Sequence, residues 1–98
     1  MNEFEVNGKT FRIKKMNAIE ILALRQHVDF ENFSGTMKLF NLALEHIEHK
    51  VKESWIQVKQ GNDYYPSGLE EDITLVNELI STFLNWLKSV FPKSSESN

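Results

Sequence analysis

The chain of 98 residues has no cysteine, and that alone removes several chemistries. Disulfide scaffolds, thiolate zinc sites, iron–sulfur clusters and cysteine nucleophiles are excluded. Glycine is scarce, with four residues, and no phosphate-cradling loop or dinucleotide fingerprint can be assembled from them. Proline occurs twice, so little of the chain is closed to regular structure. Apolar runs are only a few residues long, far below the ~18 needed to span a bilayer, so no membrane association is expected. The opening Met1-Asn-Glu-Phe-Glu5 lacks the basic-then-apolar layout of a signal peptide, and the expectation is a cytoplasmic protein.

A surplus of basic charge is also missing. The formal net charge is −3, which disfavours a general nucleic-acid binder. Residues 61–98 carry six acidic and two basic groups, a local net of −4, so a nucleic-acid groove is least expected there. The length suits one domain, expected over residues 1–92, followed by a polar tail at 93–98 that is expected to be disordered.

What is present begins with alternation. Phe4 and Val6 precede Asn7-Gly8, and Phe11 and Ile13 alternate with Thr10, Arg12 and Lys14. Both turn residues tolerate positive φ, so a hairpin of Glu3–Val6 and Lys9–Lys14 with one apolar face is predicted. Asn17-Ala-Ile-Glu20 has the form of a capping box and opens a helix over about 18–28, with Ile21, Leu24 and Val28 on one side. The stretch 29–35 reads as a loop whose Phe30 and Phe33 tuck inward. A second helix is predicted from there to about Val51, with Met37, Phe40, Ala43, Leu44, Ile47 and Val51 as its buried stripe. Trp55–Lys59 can form a short strand or an extended segment, and Gln60–Asp63 is a turn. Ser67-Gly-Leu-Glu70 reads as a second capping box. It starts the longest helix, about Glu70–Phe91, whose core stripe is Ile73, Val76, Ile80, Phe83, Leu87 and Phe91, with Pro92 as its stop. The predicted fold class is α+β, mainly α: an N-terminal β-hairpin followed by about three helices, the last being the longest.

Candidate chemistry is sparse. His46 and His49 stand one turn apart on the predicted second helix, close to Glu45 and Glu48. Helical metal pairs of the zincin type use i and i+4, so this i, i+3 pair reads as two solvated imidazoles. No serine lies in a nucleophile elbow, and the carboxylates are accounted for by caps and solvated helix faces. No enzyme activity, cofactor or metal is expected. The feature beyond an ordinary core is the breadth of the last helix's apolar surface. Leu75, Leu79 and Trp86 lie about 80–120° from the centre of its stripe. Either they bury beneath the hairpin and the first helix, or they face a partner helix or a second copy. Trp55, Tyr64, Tyr65 and Pro66 form a second cluster, again either a loop packed by its own rings or an interface.

In outline the chain resembles the tail assembly chaperones of long-tailed bacteriophages and prophages. The resemblance rests on the hairpin Phe4-Glu-Val-Asn-Gly-Lys-Thr-Phe-Arg-Ile13, on Met16-Asn-Ala-Ile-Glu20, and on Trp55 with Val58 ahead of Asp63-Tyr-Tyr-Pro66. It is completed by Leu79-Ile-Ser-Thr-Phe-Leu-Asn-Trp-Leu87 and the Ser-rich end. It implies a non-enzymatic protein of the host cytoplasm that binds the tape-measure protein, keeps it soluble and helps recruit tail-tube protein. Such a protein is generally absent from the finished particle. The candidate partner-binding residues are Leu75, Leu79 and Trp86, then Trp55 and Tyr65, with a homo-oligomer as another use of the same face. The competing expectation is a small phage or mobile-element regulator associated with DNA. Against that reading, no predicted helix has a Lys/Arg-rich face.

Overall fold

A computed structural model describes residues 3–25 and 36–90. The expected positions of Val28, Phe30, Phe33, Phe91 and Pro92, the side chain of Met37 and the tail 93–98 lie outside the described residues.

The N-terminal hairpin forms as its alternation predicts. Strands β1 (Glu3–Val6) and β2 (Lys9–Ile13) pair antiparallel with Phe4 opposite Phe11 and Val6 opposite Lys9. Asn7 and Gly8 hold φ of 53° and 80°, the left-handed pair that a two-residue hairpin turn requires. Val6, Phe11 and Ile13 are buried on one face, and Phe4 stacks on Phe11 at 5.9 Å. Helix α1 (Ala18–Arg25) opens with a complete capping box. The Asn17 side-chain oxygen accepts from the Glu20 amide at 2.8 Å, and the Glu20 carboxylate accepts from the Asn17 amide at 2.9 Å.

The expectation of a mainly helical chain is overturned beyond this point. Helix α2 (Thr36–Glu45) stops six residues short of Val51. The chain then enters strand β3 (Ile47–Val51), which turns into strand β4 (Ser54–Gln57). The result is a four-stranded antiparallel sheet in the order β1-β2-β3-β4. A small second sheet of β5 (Lys59–Gln60) and β6 (Asp63–Tyr64) follows. The physical reason lies in the spacing of Ile47 and Val51. Four residues is one helical turn, but it is also an even number, so the pair shares a face in a strand as well. His49 between them and the charged Glu48 and Lys50 complete a period of two. The open edge of β2 then decides the matter, because pairing Phe11 with His49 and Ile13 with Ile47 satisfies its backbone.

The last helix also differs in its start. Gly68, at φ 90°, leads into a single 3-10 turn at Leu69–Glu71 with no side-chain cap. Helix α3 (Ile73–Val90) begins after Asp72, whose carboxylate accepts from the Leu75 amide at 3.1 Å. Asp72 therefore caps the helix in place of the predicted Ser67 box. Helix α3 lies against α2, β1 and the 3-10 turn. Phe11, Ile47, Val58, Leu69, Leu79, Phe83 and Leu87 fill the centre of one continuous core. Each such side chain contributes roughly 1.5–3 kcal/mol by leaving water. Among the described residues no helix is long and apolar enough to cross a membrane.

Candidate functional site

The structure turns α3 relative to its predicted orientation. Leu75 and Leu79 are 3% and 0% exposed, so neither is available to a partner, and their expected role at an interface is corrected. Trp86 is half-buried and packs on Phe83, with ring centroids 5.9 Å apart. The predicted core residue Ile73 is instead 84% exposed. The two alternative stripes share Ile80, Phe83 and Leu87 and part only in the first turns of the helix. There Leu75 and Leu79 join the core and Ile73 is left outside, in a helix that lies against α2, β1 and the 3-10 turn. A broad apolar face is therefore what a helix wedged between two neighbours needs.

Trp55 stands on the outer face of the four-stranded sheet, where its own neighbours cover it. The Arg12 guanidinium carbon lies 4.1 Å from its ring centroid, and Lys50 Nζ lies at 5.9 Å. Arg12 Nε in turn donates to Glu48 Oε1 at 2.7 Å. The register places Glu3, Glu5, Thr10, Arg12, Glu48, Lys50, Trp55 and Gln57 on this one face. Its basic and acidic charges are interleaved.

Tyr65 lies on the opposite face, 5.6 Å from the His49 ring, and lines a shallow cleft of about 190 Å³ with Ile56, Gln57, Gln60, Asp63 and Tyr64. The peptide between Tyr65 and Pro66 is cis. Lys59, itself buried, donates to the Gly61 carbonyl and lies 5.4 Å from the Tyr64 ring, which ties this turn together from within.

The two histidines are not the helical pair of the sequence reading. His46 follows the end of α2 with Nδ1 2.7 Å from the Leu42 carbonyl oxygen, and His49 belongs to β3. The His49 ring sits between Phe11, at 4.8 Å, and Tyr65. Its Nδ1 is buried without a hydrogen-bond partner. Burial, and then the positive charge of Lys9, lower its pKa below the usual 6.5. Among the described residues, no three His, Asp or Glu side chains are grouped so as to hold a metal ion.

The surface that sequence reasoning missed lies between α2 and α3. Phe40, Ile73, Val76 and Ile80, with Glu70 and Asn77, line an open cleft of about 240 Å³. Phe40 is 37% exposed and Ile73 84%, Val76 is half-buried, and only Ile80 of the four apolar side chains is buried. A signal was present in the sequence. Asp72 is a good N-cap, and a helix starting after it places Ile73 two residues, or about 200°, from Leu75. No family model matches this chain, and no curated protein or solved structure matches it either. The chemistry of the cleft stands on its lining alone: four apolar side chains, one carboxamide and one carboxylate, with no nucleophile. Such a lining suits non-covalent contact with apolar groups rather than covalent chemistry.

Proposed function

We propose that this chain is a non-enzymatic tail assembly chaperone of a long-tailed phage or prophage, which binds the tape-measure protein and assists assembly of the tail tube. The observation that carries the reading is the apolar cleft between α2 and α3, open among the described residues and lined by Ile73 at 84% exposure. An isoleucine in water contributes nothing to folding, whereas in an interface it supplies an anchor. The sequence resemblance adds support, and the hairpin, the Asn17 box and the long last helix on which it rests all form. The binding surface is thereby moved from Leu75 and Leu79 to Phe40 and Ile73. The alternative, a DNA-associated regulator, has less behind it. Arg12 and Lys50 share the open sheet face with Glu3, Glu5 and Glu48, so that face carries no excess of positive charge.

The test is co-expression of the tagged full chain with the tape-measure protein encoded in the same gene cluster. The reading expects the tape-measure protein to move into the soluble fraction and to co-purify. Tape-measure protein that stays insoluble and uncaptured, together with salt-dependent retention of the chain on DNA, would replace this reading with the regulatory one.

A further inference from the structure

The cleft between α2 and α3 has a charged side as well as an apolar floor. Glu70 lines it, and Glu71 and Asp72 follow directly in the chain. The Asp72 carboxylate is engaged at the α3 N-terminus by the Leu75 amide, while Glu70 and Glu71 are exposed. The α3 dipole favours acids near its start by roughly 0.3–1 kcal/mol. That effect does not require one of them to stand against Phe40, Ile73, Val76 and Ile80. The nearest basic residue on α2 is Lys38, two positions before Phe40 and therefore about 200° around the helix from it. Negative charge thus lies along an apolar cleft without a neighbouring cation from α2.

The walls of the cleft also limit what can enter. Both α2 and α3 are helices whose internal N–H and C=O groups are bonded to each other, so neither offers a strand edge. An occupant must satisfy its own backbone, and a helix does so while presenting apolar anchors at i, i+3 and i+4. We propose that this cleft docks an amphipathic helix of a partner protein whose apolar stripe is flanked by Lys or Arg, the apolar anchors entering over Phe40 and Ile73 and the cation pairing with Glu70. The proposal rests on the chaperone reading above and specifies the segment of the client that the chain would grip.

Two labelled synthetic helical peptides provide the probe. Both carry the same Leu stripe, one flanked by Lys and the other by Glu, and the full chain is titrated into each while fluorescence anisotropy is followed. The Lys peptide is expected to bind at least about tenfold more tightly, a difference of about 1.4 kcal/mol. This preference should shrink at high salt and in Glu70→Gln. Ile73→Asp should weaken both peptides while leaving the thermal unfolding curve near that of the wild type, because the side chain is in solvent. Equal affinity for the two peptides, or indifference to Ile73→Asp, overturns the proposal. A free chain that sediments as a dimer and becomes monomeric on Ile73→Asp gives the cleft to a second copy. Tighter peptide binding after Phe30→Ser and Phe33→Ser gives it to residues 26–35 of the chain itself. Either result also overturns the proposal. Capture of the tape-measure protein by Ile73→Asp at the wild-type level would remove this docking site and leave the chaperone reading standing. A wild-type chain that prefers the Lys peptide but captures no tape-measure protein would do the reverse.

Discussion

Truncating Leu79 and truncating Ile73 should give opposite results, although both are branched aliphatic residues on α3. Leu79 is fully enclosed, in a core that it shares with Leu75, Ile80 and Phe83. Leu→Ala at such sites costs ~2–5 kcal/mol, with the larger values where the surroundings cannot collapse into the space. Full enclosure of the side chain at 0% exposure places Leu79→Ala at ~3–4 kcal/mol. Each kcal/mol lowers the melting temperature of a domain this size by ~4–8 °C, so a fall of at least ~12 °C is expected. Ile73 is 84% exposed, and Ile73→Ala should stay within ~0.5 kcal/mol, or ~4 °C, of the wild type. Thermal melts followed by far-UV circular dichroism measure both, and urea unfolding gives the free energies independently. With a slope of ~1–3 kcal/mol/M, the Leu79→Ala midpoint should fall by at least ~1 M. A Leu79→Ala protein within ~1 kcal/mol of the wild type, or an Ile73→Ala protein losing more than ~2 kcal/mol, would refute the assignment of the two helix faces.

The remaining expectations are local. Asn17→Ala removes the side-chain acceptor of the Glu20 amide, leaving the bond from the residue 17 amide to Glu20, and should cost ~1 kcal/mol, read as a lower urea midpoint with an unchanged slope. Gly8→Val should destabilise the hairpin even though no atom lies within 4 Å of an added Cβ, because φ of 80° is strained for a β-branched residue; an undiminished melting temperature would contradict this. The lowered pKa of His49 means that the unfolded chain takes up its proton first as pH falls. The stabilisation is therefore complete above about 6.5 and is lost as pH drops below that value toward the folded-state pKa. His49→Gln should flatten the dependence of the urea midpoint on pH across this window, and an unchanged profile would show that another group titrates there.

The parts of the fold that could be read from sequence are those where one local pattern admits one structure. Asn7-Gly8 between two alternating runs has no helical reading, and Asn17 with Glu20 satisfies two amides within four residues. Where two periods fit the same residues, local pattern was not enough. Ile47 and Val51 suit a helix face and a strand face equally, and only the unpaired edge of β2, more than thirty residues earlier, selects the strand. The candidate site suffered from a related ambiguity. A helix with apolar residues around half its circumference can be phased in two ways, and the choice depends on what flanks it. The tertiary neighbours of α3 decide that Leu75 and Leu79 are buried and Ile73 is left outside, information that no window within α3 contains. Trp55 and Tyr65 are aromatic residues of the interface type, but their partners Arg12 and His49 come from β2 and β3. A reading of 47–51 as helix hides the strand that brings these partners to them.

The most direct test is methyl NMR of the isoleucine, leucine and valine side chains of the full chain, recorded with and without the tape-measure protein. The account predicts shifts concentrated at Ile73, Val76 and Ile80, with Leu75 and Leu87 nearly unmoved. Shifts confined to the sheet, or no shift at Ile73 in a complex that demonstrably forms, would contradict it.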